Sequence, residues 1–108
     1  MAEKSIEEII RKYISKLKLS GFPVEKVVLF GSCSKGNCHS SSDIDLIVVS
    51  PVFDSNFTRD DILKLWEAAS KVDSRIEPVH CGSKQWTSDD GSAIIEIARR
   101  EGTAISAA

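Results

Sequence analysis

Nine residues near the middle of the chain, SDIDLIVVS at 42–50, restrict the fold more than any other stretch. Two aspartates, Asp43 and Asp45, are separated by one residue and lead into the apolar run 46–49. An unbroken run of this length, rich in β-branched residues, predicts a buried strand. Side chains alternate along a strand, so both carboxylates face the same side. Two like charges at the mouth of a buried strand repel each other, and a compensating partner is therefore expected.

The spacing of the two aspartates predicts a site for divalent cations. Two steps along a strand separate their Cβ atoms by about 6–7 Å, which suits carboxylates that converge on two ions about 3.5–4 Å apart. Ligands that are all oxygen favour Mg²⁺ or Mn²⁺. Ile44, Leu46 and Val48 have the opposite parity, and we expect them to pack onto helices. The simpler alternative is that Asp43 and Asp45 only cap a turn at the start of the strand.

A loop of small residues precedes this strand. Gly31 and Gly36 permit positive φ and close backbone approach, and Ser32 with successive N–H groups could hold a phosphate. The two glycines have the separation found in a P-loop. Asn37 and Cys38, however, stand where its lysine and its serine or threonine belong. The residues that carry Walker A chemistry are therefore missing.

Periodicity and turn signals along the rest of the chain predict the order α-β-β-α-β-α and then a short final strand. Ser5 and Thr58 are expected to cap the two long helices, and Pro78 predicts an edge position or a bulge in the third strand. This order predicts an α/β (α+β) fold in which a small mixed β-sheet has helices packed on one face. The predicted helices lie in 5–21 and 88–102 and, after an initial loop that leads to Thr58, in 55–73. The predicted strands are 24–30, 42–50, 74–81 and 103–106.

Composition limits the class of protein. A chain of 108 residues is the size of one domain, and a net charge of −2 argues against binding a long nucleic acid unaided. The first twelve residues do not resemble a signal peptide, and no apolar run approaches the length of a membrane span. We therefore expect a cytoplasmic protein with reduced thiols. A zinc site is a weak alternative, because the spacing of the candidate ligands fits no standard finger: Cys33, Cys38, His39, His80 and Cys81.

The Gly-Ser pair, the small-residue loop, the second glycine and the Ser-Asp-Ile-Asp-Leu strand together resemble the nucleotidyltransferase superfamily typified by DNA polymerase β. In size the chain is similar to the minimal nucleotidyltransferases, which are stand-alone catalytic domains. The resemblance is strong over 24–50, and over 51–106 it extends to element order and one acidic strand residue. It implies the polymerase β-like fold and a single minimal nucleotidyltransferase domain over residues 1–108.

The resemblance also implies a role for individual residues. It assigns Asp43 and Asp45 to catalysis and to binding two Mg²⁺ ions, with Mn²⁺ as an alternative. The family's third carboxylate comes from the neighbouring strand, where this chain has Glu77 and the family more often has aspartate. Lys35 stands where the family often has arginine, and it offers phosphate a point charge without a bidentate fork. The residues implied in nucleotide binding are Gly31, Ser32, Lys35, Gly36 and Ser42.

Simpler interpretations remain for two of these residues. Glu77 could be a solvated charge on an edge strand, and Lys35 could be an ordinary exposed loop lysine. Asp73 has the same strand parity as Glu77, but its position in the sequence favours a turn.

The activity implied by the resemblance is attack of an acceptor hydroxyl on the α-phosphorus of a nucleoside triphosphate, with ATP as the expected donor. Minimal members typically pair with a small helical HEPN protein, and the pair resembles a toxin–antitoxin system in which the toxin receives AMP. Phe57, Trp66 and Trp86 also predict an exposed apolar patch for that partner or for a homodimer. The alternative function is a catalytically vestigial antitoxin that binds its helical partner without transfer.

Overall fold

The computed structural model describes residues 5–31, 42–88 and 92–107. The observed order agrees with the predicted one, except that a short helix, α3, precedes the last predicted helix. A 3-10 turn also follows the second strand at Pro51–Asp54. The helices are α1 (Ile6–Leu19), α2 (Arg59–Val72), α3 (Ser83–Ser88) and α4 (Ala93–Glu101), and the strands are β1 (Lys26–Phe30), β2 (Ile44–Val49), β3 (Ile76–Cys81) and β4 (Thr103–Ser106).

The four strands form one mixed sheet in the order β3-β2-β1-β4. β1 pairs antiparallel with both β2 and β4, whereas β2 and β3 are parallel. The parallel pair is joined through α2, which gives the chain the length that a parallel connection needs. Pro78 lies in β3, at the edge of the sheet, as its missing N–H donor predicts.

Local signals explain where α1 begins and how it packs. The Glu8 backbone N–H donates to Ser5 Oγ at 3.1 Å, and the Ser5 backbone N–H donates to the Glu8 carboxylate at 3.1 Å, which completes the expected capping box. The Tyr13 hydroxyl donates to the Leu65 carbonyl at 2.9 Å and ties α1 to α2. Burial raises the pKa of Tyr13 above its ordinary value, so this hydroxyl stays protonated.

Both long helices pack on one face of the sheet, as predicted. Ile44, Leu46 and Val48 belong to that core, together with the apolar face of α1. The alternation of side chains in β2 thus separates the core from the carboxylate face.

The two short helices differ from the expectation that helices would lie on one face only. α3 and α4 pack on the opposite face, where they form a second apolar cluster with Val28, Ile47 and Val49. These strand residues need apolar cover because they lie on the carboxylate face but farther along the strands. Trp86 supplies part of that cover and is 9% exposed.

Two of the three aromatic residues predicted to form an exposed patch are indeed accessible. Trp66 is 46% exposed and Phe57 is 39% exposed, whereas Trp86 is buried. In the part of the chain that the structure describes, no helix combines the length and the apolar character that crossing a bilayer requires.

Candidate active site

Three carboxylates meet at one end of the sheet. Asp45 lies in β2, in register with Glu77 of the parallel strand β3. Register partners on adjacent strands lie about 5 Å apart and project to the same face. Asp43 immediately precedes β2 and has the same parity as Asp45. The predicted proximity of Glu77 to the aspartate pair is therefore observed, while its role as a third metal ligand stays a prediction.

The three carboxylates interact electrostatically. The charge of Asp43 raises the pKa of Glu77, and smaller contributions come from partial desolvation, from Asp45 and from a hydrogen bond between Glu77 and Asp43. Burial raises the pKa of Asp45, and the charge of Asp43 adds to that effect. A carboxylate with a raised pKa is one whose negative charge is unfavourable where it stands. The cluster therefore has an excess of negative charge that a cation would relieve.

Gly31 makes room for the Asp45 carboxylate. It follows β1 directly and has a φ of +79°, which an L side chain rarely adopts. A Cβ atom at this position would lie 2.6 Å from Asp45 Oδ2. Glycine is thus required both for the turn out of β1 and for the position of the carboxylate beside it.

The remaining predicted nucleotide-binding residues are only partly within the described chain. Ser42 is half-buried and directly precedes Asp43. Ser32, Lys35 and Gly36 lie in 32–41, outside the described residues. Their assignment to the triphosphate stays a prediction.

The three carboxylates fit a divalent cation chemically, although their oxygen atoms do not converge on one position. In the described ranges, no group of three His, Cys, Asp or Glu side chains is arranged tightly enough to hold an ion. Glu77 is exposed, so its side chain can change rotamer. Asp43 and Asp45 would hold the ion, and Glu77 would complete the all-oxygen set that Mg²⁺ or Mn²⁺ prefers.

The site also has an apolar side, formed by a residue that was not among the predicted site residues. Phe30 is the register partner of Asp45 on β1 and packs against the second apolar cluster. It is half-buried on the carboxylate face. Its parity with Val28 in the strand VEKVVLF was a signal that could have identified it.

The zinc alternative fails for His80 and Cys81, the two candidate ligands within the described residues. His80 packs against Phe53 and Phe57 with ring centroids 5.1 Å apart in each case, and burial lowers its pKa. Cys81 is fully buried in the second cluster, on the other face of the sheet. Neighbouring strand residues that project to opposite faces cannot share an ion. Cys33, Cys38 and His39 lie outside the described residues.

Comparison with known proteins identifies the family. The model of the nucleotidyltransferase domain family matches residues 7–96, so the chain belongs to that family. The chain has a four-stranded mixed sheet with helices, and the solved structures similar to it are nucleotidyltransferase-fold proteins. The predicted resemblance and the predicted fold class are both confirmed.

Two solved structures are similar to this chain. One is a Sulfolobus solfataricus protein classed as a nucleotidyltransferase, with 18% identity and a TM-score of 0.54. The alignment covers 96% of this chain and 89% of the Sulfolobus chain. The other is a toxin–antitoxin with AMP-PNP, with 25% identity and a TM-score of 0.58. The alignment covers 87% of this chain and 70% of the matched chain. No curated protein matches the chain.

Proposed function

We propose that the chain is a metal-dependent nucleotidyltransferase that transfers AMP from ATP to a hydroxyl group of a partner protein. The observation that carries the proposal is the grouping of Asp43, Asp45 and Glu77 on one face, beside a glycine that a larger residue could not replace without moving Asp45. Membership of the nucleotidyltransferase family supports the same class of reaction. On this proposal, residues 1–108 act as one minimal nucleotidyltransferase domain.

In the proposed reaction, the acceptor oxygen forms a bond to the α-phosphorus. The bond from that phosphorus to the oxygen bridging to the β-phosphate breaks, and pyrophosphate leaves with the bonding electrons. The hydroxyl proton passes to water. Divalent cations held by Asp43, Asp45 and Glu77 would supply positive charge for the attacking and leaving oxygens. Gly31 leaves the backbone open to close approach by the triphosphate.

The proposed partner is a small helical protein of the HEPN type, with this chain as the antitoxin of a toxin–antitoxin pair in the cytoplasm. Support comes from the similar structure of a toxin–antitoxin with AMP-PNP. Exposed apolar side chains on α2 further support a protein partner, since Leu63 and Trp66 are about half exposed. Apolar side chains grouped on a surface helix commonly mark a protein interface.

Intact-mass spectrometry of the co-expressed partner tests this proposal. With ATP and Mg²⁺, we expect the partner to gain the mass of one or more AMP groups. Asp43→Asn and Asp45→Asn should abolish the gain. Asp60→Asn is the matched control, because Asp60 is an exposed carboxylate in the first turn of α2. An equal loss of transfer in all three variants would mean that net charge, and not the site, matters.

The second candidate function is an antitoxin that acts by contact alone. The observation that favours it is that no three potential ligands in the described residues are arranged tightly enough for an ion. Glutamate in place of the family's aspartate points the same way. A variant with both Asp43→Asn and Asp45→Asn separates the candidates. It should lose the ability to neutralise the partner if transfer is required, and keep it if contact suffices.

A further inference from the structure

A surface groove with a predominantly basic lining runs along the outer side of α1, next to the C-terminal end of α2. Its volume is about 630 Å³. Three of its cations come from two adjacent turns of α1, and the fourth comes from α2 more than fifty residues later in the chain. The charged residues that line it are Arg11, Lys12, Lys16 and Lys71, together with Glu8.

The positive charge extends beyond the groove. An adjoining depression shares Lys16 and Lys71 with it and adds Lys64, with Glu67 as an acidic neighbour. One cation of the groove, Arg11, pairs with Glu7 at 3.0 Å, but both side chains are about 60% exposed, and such exposed pairs are weak. Five cations thus converge on one surface of a chain whose net charge is −2.

Helix dipoles account for part of this pattern but not for the convergence. Lys16 lies in the last turn of α1 and Lys71 in the last turn of α2, where a positive charge is favourable. That effect acts within each helix and does not require the two helices to bring their cations to one groove. The residues that line the groove and the depression include five cations and two carboxylates, and this excess of positive charge favours an anionic ligand.

We propose that this groove docks an acidic segment of a partner protein. Complementary charge would supply the attraction. Leu19 lines the same groove and is 83% exposed, which offers an apolar side chain to a peptide. Within the described residues, no aromatic side chain lines the groove to stack a base. The groove therefore suits an acidic peptide better than single-stranded RNA.

The groove and the carboxylate site lie on opposite sides of the sheet. α1 and α2 pack on the face formed by Ile44, Leu46 and Val48, whereas Asp45 projects from the other face. A partner held in the groove would therefore leave the carboxylates accessible. The proposed docking does not depend on nucleotide transfer, and it can be tested without ATP.

Fluorescence anisotropy with a labelled glutamate-rich peptide containing one leucine tests the proposal. We expect binding that weakens as salt is raised. Reversing two groove charges, Lys16→Glu with Lys71→Glu, should weaken binding about tenfold or more, since each exposed pair contributes up to about a fivefold change in affinity. The matched control is Arg59→Glu with Lys84→Glu, which changes net charge equally, and its affinity should stay within about twofold of the wild type.

A second variant tests the apolar part of the groove. Leu19→Ser should weaken peptide binding while leaving its salt dependence unchanged, because no charge is altered. Circular dichroism would verify that each variant keeps its helices.

Three results would overturn the proposal. The first is absence of peptide binding to the wild type, and the second is equal loss of affinity in the two charge-reversed variants. The third is tighter binding of a labelled single-stranded RNA than of the peptide at the same salt concentration, which would identify a nucleic-acid groove.

Discussion

Replacement of Gly31 by alanine should damage the site more than it damages the fold. Gly31 has a φ of +79°, and an alanine Cβ would lie 2.6 Å from Asp45 Oδ2. Holding a non-glycine residue in the left-handed region costs about 1–2 kcal/mol. The Asp45 carboxylate is the far end of a short side chain, and moving it off its rotamer adds about 0.5–1.5 kcal/mol.

Gly21→Ala is the matched control for this substitution. Gly21 has a φ of +84°, and a Cβ there would meet nothing within 4 Å. Both variants therefore carry the same kind of backbone strain, and only Gly31→Ala displaces Asp45. We expect the free energy of unfolding to fall in both variants, and to fall by about 0.5–1.5 kcal/mol more in Gly31→Ala.

Calorimetric titration with ATP in the presence of Mg²⁺ provides the functional comparison. Displacing one carboxylate of a cation site should weaken ATP binding by about 10–100-fold in Gly31→Ala, on the scale of measured effects of groups that orient metal ligands. Gly21→Ala should bind ATP as the wild type does. If the two variants bound ATP equally well, the position of Asp45 would not matter, and the assignment of the site would be wrong.

Three further predictions follow from the same structure. Chelation of divalent cations with EDTA should abolish ATP binding measured by calorimetry, because the charges of Asp43 and Asp45 would then repel the triphosphate; equal affinity with and without EDTA would contradict this. The pKa values of Asp45 and Glu77 are raised above 3.8 and 4.5, so their ionisation destabilises the cation-free fold as pH rises from about 4 towards neutrality. Asp45→Asn should therefore raise the melting temperature at pH 7 but not at pH 3. Tyr13→Phe should lower the free energy of unfolding, measured by urea denaturation, by about 0.5–1.5 kcal/mol, because the Leu65 carbonyl loses a buried hydrogen-bond donor.

Much of the fold could be predicted because its signals are local. The capping box at Ser5 and the apolar spacing of α1 lie within a few turns of chain. Strand alternation placed Ile44 and Asp45 on opposite faces, as the structure has them. The edge position of Pro78 followed from the donor that proline lacks.

The features that sequence analysis missed depend on short elements or on distant contacts. α3 has six residues, too few to show helical periodicity. The packing of α3 and α4 on the carboxylate face of the sheet depends on the path that the chain takes after β3. The basic groove likewise depends on the packing of α1 against α2, which joins Lys16 to Lys71 across the sequence.

The candidate site shows the same division. The parity of Asp43 and Asp45 followed from the strand itself, whereas the alignment of Glu77 with Asp45 required the register between β2 and β3. Glu77 could be predicted as a neighbour of the aspartates only from the resemblance to a known family. The close fit of Gly31 against Asp45 could not be predicted, because it depends on a side-chain position.

Transfer of label from ATP to the co-purified partner tests the central claim most directly. The purified pair is incubated with Mg²⁺ and with ATP carrying a radioactive phosphate at either the α or the γ position. Attack at the α-phosphorus predicts that the α-label becomes covalently attached to the partner while the γ-label leaves in pyrophosphate. Attachment of the γ-label, or no attachment of either label to a partner that the chain still neutralises, would contradict the account.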